Sequence, residues 1–220
     1  MLNRLLSLFL KPNCPLCQRS ADEVFCDYCQ QKLTDCQLNF TQQRKTIDNN
    51  FILLSWGKYD RDLKKALASL KYNQQTAIGE ELGIWLGEAW LKHFNHRQYP
   101  RVTVIPIPCH PKKLQTRGYN QADLIARGFT QVTGYNLKSN LLIRQKQTEA
   151  MFGLNMKQRQ ENIDQAFKLG KDYGSVKKSD PVLIIDDIYT TGTTVAEAQR
   201  ILTKAKLKTI GVATVCRVQV

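Results

Sequence analysis

Val182-Leu183-Ile184-Ile185-Asp186-Asp187-Ile188-Tyr189-Thr190-Thr191-Gly192-Thr193-Thr194 joins an apolar run to a carboxylate pair and a Thr/Gly loop. Four consecutive apolar residues after Pro181 read as a strand buried on both faces, as strands inside a parallel sheet are. Two carboxylates follow at its carboxyl end, where open α/β sheets bind ligands. The loop then opens a helix over 194–204. Backbone N–H groups and hydroxyls at such a junction form a cup for phosphate. Hydroxyl or metal recognition thus lies beside phosphate recognition, a combination suited to a sugar phosphate. The plainer alternative is an Asp-rich turn and a Thr cap with no ligand. It leaves two adjacent acids after an apolar strand without partners, which is costly. No Gly-Lys pair follows, so this is not a Walker A loop, and there is no GxGxxG.

On either side, strands alternate with helices. Phe51 to Trp56 reads as a strand. Asp60 to Tyr72 reads as a helix with Asp60 as N-cap and Leu63, Ala66, Leu67 and Leu70 on one face. Ala77 to Phe94 is a second helix, where Gly79, Gly83 and Gly87 make a smooth face for close packing. Val102 to Ile107 is a strand, His110 to Arg117 a basic loop, Asn120 to Val132 a helix and Leu141 to Ile143 a short strand. Residues 144–160 form a long polar, basic segment, and Thr209 to Val215 is the final strand. This order predicts an α/β fold, a mostly parallel sheet flanked by helices on both faces. Residues 37–49 read as a polar linker. They divide a first unit, 1–49, from a globular domain, 50–220.

The first unit carries Cys14-x2-Cys17 and Cys26-x2-Cys29, eight residues apart. Each CxxC turn supplies two thiolates, and two turns make the four-ligand set of a closed structural zinc site. A block this short builds no core of its own, so the metal would supply folding energy. A redox CxxC or a disulfide pair is the alternative. Cys36 reads as an ordinary residue after the knuckle, and Cys109 and Cys216 as small buried hydrophobes. His93 and His96 read as residues on an exposed helix end.

Lys plus Arg number 32 against 19 Asp plus Glu, a formal net charge of +13, in 220 residues that are 42% hydrophobic. Disordered and collagen-like classes are excluded. The charge asks for an anionic partner. Seven Cys, an odd number, with several in CxxC pairs, fit a reducing compartment. No apolar run reaches the roughly 20 residues of a membrane span, so the expectation is cytoplasmic. Residues 1–10 read as an amphipathic turn or two packed on the protein, with a peripheral membrane contact as the alternative.

The quoted segment resembles the phosphoribosyl pyrophosphate (PRPP) signature of type I phosphoribosyltransferases. Further stretches make nearly the whole chain similar to the ComF family of competence-associated, phosphoribosyltransferase-like proteins. These are the four-cysteine block, Val104-Ile105-Pro106-Ile107-Pro108, Arg117-Gly118-Tyr119-Asn120-Gln121-Ala122, and Arg144 through Arg159 and Asn162 to Ala166-Phe167. The resemblance implies a type I phosphoribosyltransferase-like sheet and an N-terminal zinc module. It implies that Asp186 and Asp187 hold the ribose hydroxyls and help position Mg²⁺. Thr190, Thr191, Gly192, Thr193 and Thr194 would take the 5′-phosphate, and Pro106, Ile107, Pro108 and Cys109 would lie at the pyrophosphate. Residues 144–160 would form a hood, with Arg144, Lys146 and Arg159 as pyrophosphate clamps. Arg117 is either a ligand contact or a helix-entry residue. The chain departs from the family pattern in the hood, where Met151 stands three residues after Thr148 in place of Gln.

Two functions follow. One is Mg²⁺-dependent transfer of a phosphoribosyl group to an acceptor that no residue identifies, in the setting of DNA uptake. The other is a non-catalytic protein that binds single-stranded DNA and other competence proteins, with a regulatory or vestigial PRPP site. Lys64, Lys65, Lys71, Lys177, Lys178, Lys204, Lys206 and Lys208 fall outside the expected site. They read as solvated surface or as contacts to nucleic acid. Tyr119, Phe129 and Tyr135 read as core aromatics.

Overall fold

The computed structural model describes residues 11–47, 51–94, 97–145 and 166–218. The apolar run becomes β7 (Val182–Tyr189). It lies between β8 (Thr209–Arg217) and β3 (Thr103–Pro106), parallel to both. Outward from β8 come β2 (Phe51–Lys58), parallel, and β1 (Arg44–Ile47), antiparallel; outward from β3 comes β4 (Asn136–Leu137), parallel. The sheet order is β1-β2-β8-β7-β3-β4. The chain therefore has the expected fold, a mostly parallel sheet with a hydrophobic cluster and helices on each face.

The alternation along β7 explains its unbroken apolar character. Leu183 and Ile185 face one hydrophobic cluster, Val182 and Ile184 the other. The first cluster is closed by α3 (Arg61–Tyr72), α4 (Ala77–His93) and α6 (Gln121–Thr133), the second by α7 (Thr193–Lys204). Asp60 caps α3 by accepting the Arg61 N–H at 2.7 Å. The glycine face of α4 meets α6 backbone to backbone. A Cβ on Gly83 would stand 2.1 Å from the Ile125 carbonyl oxygen, and one on Gly128 would stand 1.9 Å from that of Glu80.

Three local expectations are corrected. The basic loop is a short helix, α5 (Pro111–Arg117). Pro111 starts it, the His110 ring accepts the Lys112 N–H at 3.2 Å, and Gly118 ends it at φ +86°. The polar linker is structured, since α2 (Phe40–Gln43) leads into β1, which pairs with Phe51 to Leu54. The short strand β5 (Leu142–Arg144) does not join the main sheet but pairs antiparallel with β6 (Phe167–Leu169).

The cysteine block folds around α1 (Asp27–Thr34) and packs on the first cluster, where Phe25 lies 5.6 Å from Trp85 between ring centroids. Cys17 and Cys29 line a cavity of about 280 Å³ together with Arg61, Asp62 and Lys65 at the start of α3. No helix among the described residues is long and apolar enough to cross a membrane.

Candidate functional site

β7 delivers its carboxylates at the C-terminal edge of the sheet. Asp187 is 6% exposed. One of its oxygens accepts the Ile188 N–H at 2.9 Å, and the other forms an ion pair with Lys71 Nζ at 2.5 Å. Asp186 accepts the Asp187 N–H at 2.9 Å. Burial and the neighbouring charge of Asp187 push the Asp186 carboxyl well above its ordinary range. For Asp187, burial acts in the same direction, but the Lys71 ammonium outweighs it and holds the group below that range. Burial alone would lower Lys71, yet Asp187 raises it.

The loop after β7 turns at Gly192, with φ +77°, and a Cβ there would stand 2.4 Å from the Tyr189 hydroxyl. Only glycine suits that position. As N-cap of α7, Gly192 supplies no side-chain acceptor, so the first N–H groups of the helix lack a side-chain cap. The Thr191 and Thr193 hydroxyls lie 2.8 Å apart beside them. The donor set and the dipole of α7 together suit a phosphate.

Asp186, Asp187, Thr190 and Thr194 line a cleft of about 240 Å³ with Ile107, Pro108, Cys109, Arg117 and Arg144. Nine of the expected site residues therefore share one cavity. Thr191, Gly192 and Thr193 lie in the adjoining loop, and Pro106 is buried in β3, in register with Ile185. Asn120 fixes the loop after β3 by donating its amide to the Ile107 carbonyl at 3.0 Å. Lys146, Thr148, Met151 and Arg159, like residues 1–10 and His96, fall outside the described residues.

Cys109, which reads as a small buried hydrophobe by its neighbours but lies at the pyrophosphate by the family resemblance, is half-buried on the cleft wall because β3 ends at Pro106. Cys216 is fully buried as expected. His93 is half-buried and stacks on Phe40 with ring centroids 4.1 Å apart. Phe129 and Tyr135 are core aromatics, while Tyr119 is only partly buried and packs at the edge of the first cluster.

Three cleft residues are not expected at the site from the sequence, Lys71, Tyr72 and His110, while Lys113 stands there as its charge suggests. From the sequence, Lys71 reads as lying outside the site. Its signal was positional: it stands four residues after Leu67, on the stripe of α3 that turns inward. Lys113 is lowered by burial and then by repulsion from Arg144, Arg117 and Lys71, so the wall opposite the carboxylates concentrates positive charge. A larger groove of about 1040 Å³ runs along β1 and Arg217 and shares Thr190. Among the described residues it is lined by no carboxylate, whereas the acidic pair lies in the smaller cleft.

The ligand atoms of Cys14, Cys17, Cys26 and Cys29 all lie within 4.8 Å of one another, with the Cys17 and Cys26 sulfurs 3.5 Å apart. A tetrahedral site with Zn–S of about 2.3 Å sets sulfurs roughly 3.8 Å apart. The cluster is compatible with structural zinc. Cys36 stays outside it and donates its thiol to the Lys32 carbonyl at 3.6 Å.

Residues 125–219 match the family model described as phosphoribosyl transferase domain. Competence protein F of Haemophilus influenzae is 28% identical over 210 residues, covering 90% of this chain and 87% of that protein. DNA utilization protein YhgH of Escherichia coli K12 is 23% identical, covering 93% and 89%. Competence protein ComFC of Streptococcus pneumoniae is 24% identical, covering 90% and 77%. Among solved structures, Leishmania donovani UMP synthase matches at a TM-score of 0.38 and 17% identity, over 90% of this chain and 36% of that one.

Proposed function

From a chain of the ComF type with a phosphoribosyl transferase domain, we propose a protein that binds PRPP with Mg²⁺ in the carboxylate cleft and transfers the phosphoribosyl group to an acceptor. One observation carries this reading. The acidic pair, the uncapped start of α7 and a cluster of Lys and Arg side chains face a single cavity at the C-terminal edge of the sheet.

The ribose hydroxyls would lie on Asp186 and Asp187, and the 5′-phosphate on the Thr190–Thr194 loop. Arg144 would meet the pyrophosphate. Transfer breaks the bond between ribose C1 and the pyrophosphate oxygen, leaving the ribosyl centre oxocarbenium-like while charge grows on the departing group. Preorganised cations favour that separation because they bind the transition state more strongly than the ground state. Mg²⁺, held mainly by ligand oxygens, would share in neutralising that charge. The aspartates position the ligand and do not attack it. The four cysteines would hold zinc as a structural ion, and relatives named for competence and DNA utilization support a role in DNA uptake, on the cytoplasmic side.

Calorimetry with PRPP and Mg²⁺ tests this reading. Wild type should bind, and the combined Asp186→Asn and Asp187→Asn change should abolish binding. A wild type that binds no PRPP removes the proposal.

A second reading, binding of single-stranded DNA, draws on the cysteine block. Tyr28 is 54% exposed there, the Arg19 guanidinium stands 4.7 Å from its ring centroid, and Lys32 lies beside it. An exposed ring among cations suits a stacked base and its phosphates. Affinity for an oligothymidylate should then fall steeply with salt. Binding that ignores salt, or none at all, counts against this reading.

A further inference from the structure

The cleft does not end at the carboxylates. Between the end of α3 and α5 it adjoins an outer cavity of about 260 Å³, lined by Lys71, Tyr72, Gln74, Lys113, Thr116 and Arg117. Lys71, Tyr72, Lys113 and Arg117 line the inner cleft as well, so the two spaces adjoin.

Tyr72 is 77% exposed, whereas Leu63, Leu67 and Leu70 of the same helix are buried. The Arg117 guanidinium lies 5.9 Å from its ring centroid. A large ring left in water at the mouth of a polar cleft is a surface with stacking capacity to spare. No carboxylate lines the outer cavity among the described residues. Lys71 is committed to Asp187, while Lys113 and Arg117 form no ion pair among the described residues. The uncommitted positive charge therefore stands beside the exposed ring.

Resting on the reading of the inner cleft as a PRPP site, we propose that Tyr72 is the stacking wall for the acceptor, and that the acceptor is a flat ring carrying a negative charge matched to Lys113 and Arg117. Tyr72 would set selectivity for the ring, and Lys113 selectivity for its charge. The inner cleft keeps the ribose and pyrophosphate, so the ring approaches from the solvent side of α3.

The test uses the full chain with zinc, Mg²⁺ and an unreactive carbocyclic PRPP analogue, and two pairs of rings: uracil against uracil-6-carboxylate, and aniline against 2-aminobenzoate. In at least one pair the carboxylated ring should bind wild type about tenfold more tightly than its neutral partner. Tyr72→Ala should weaken it by about tenfold, the order of one aromatic contact, and Tyr72→Phe should retain it. Lys113→Gln should erase the preference for charge. Affinity for the analogue should change less than about threefold in Tyr72→Ala, which separates stacking from collapse of the site. Failure of the analogue to bind wild type sinks the PRPP reading and this inference with it. An analogue that binds while no ring does, or a ring indifferent to Tyr72→Ala, overturns the inference alone. So does an oligothymidylate that loses affinity in Tyr72→Ala while free rings never bind, which assigns the tyrosine to a nucleic-acid strand.

Discussion

Replacing Lys71 with Met strands Asp187 as a buried charge without its partner. The two side chains are 21% and 8% exposed and stand 2.5 Å apart, so most of the interaction is shielded from water. Breaking a buried pair from one side costs about 3–5 kcal/mol. The carboxyl has one escape, taking up a proton. At pH 7 that costs about 1.4 kcal/mol for each unit above its ordinary pKa of about 4, or roughly 4 kcal/mol. The loss is therefore about 3–4 kcal/mol at pH 7, which for a chain of this size lowers Tm by roughly 6–16 °C. At pH 5 escape costs only about 1.5 kcal/mol, so the same variant should be hurt less than half as much.

In wild type the sign runs the other way. Asp187 is held low, so its contribution is present above its unfolded pKa and lost as pH falls through the depressed folded value. Lys71 is held high, and its contribution is lost only as pH rises through its raised folded value. Denaturant unfolding at fixed zinc, at pH 7 and pH 5, measures both effects. Adding Asp187→Asn to Lys71→Met should restore stability to within about 1 kcal/mol of wild type. No charge is then stranded, and the amide oxygen still accepts the Ile188 N–H. A double variant weaker than Lys71→Met, or a Lys71→Met protein within about 0.5 kcal/mol of wild type at pH 7, would show that the ion pair does not hold the carboxylate in place.

Gly128→Ala should cost at least about 3 kcal/mol in the same unfolding assay. Its Cβ meets a backbone carbonyl at 1.9 Å, whereas ordinary overpacking costs about 1–3 kcal/mol and is relieved by side chains. Gly174→Ala, with nothing within 4 Å, should stay within about 0.5 kcal/mol. Metal analysis of the purified chain should find one zinc, and Cys14→Ser should lower that occupancy. Chelation should change tryptophan fluorescence, because Phe25 of the cysteine block packs on Trp85.

The sheet was legible because its central strand is apolar on both faces, and Val182 to Ile185 can be little else. The edge strand was not. Arg44-Lys45-Thr46 is exposed, so no apolar alternation marks it, and only pairing with Phe51 to Leu54 makes it a strand. Helix α5 was hidden by its own charge, although Pro111 and Gly118 frame it. Asp186, Asp187 and the Thr/Gly loop could be read from one local segment. Lys71 could not, because it reaches the site across more than a hundred residues of chain, and a lysine in a basic sequence looks like surface until its helical phase is followed. Cys109 reads as core for the opposite reason, since the apolar run around it stays buried only to Ile107, one residue past the end of β3.

Helix α3 faces the cysteine knuckles across a shared cavity at Arg61, Asp62 and Lys65, and ten residues after Arg61 it sets Lys71 on Asp187. It works as a spacer of about 15 Å between two sets of ligand-holding side chains. A helix turns about 100° per residue, so the angle at which Lys71 emerges depends on how many residues separate it from the knuckles. Their identity matters far less on the outer face, where Lys64 and Ala68 meet solvent. Substitutions there leave the carboxylate pair in place. Deletion of a single residue from that face would swing the ammonium away from Asp187 while the knuckles stayed where they were. In this stretch the chain has to conserve a distance and a phase more than a sequence.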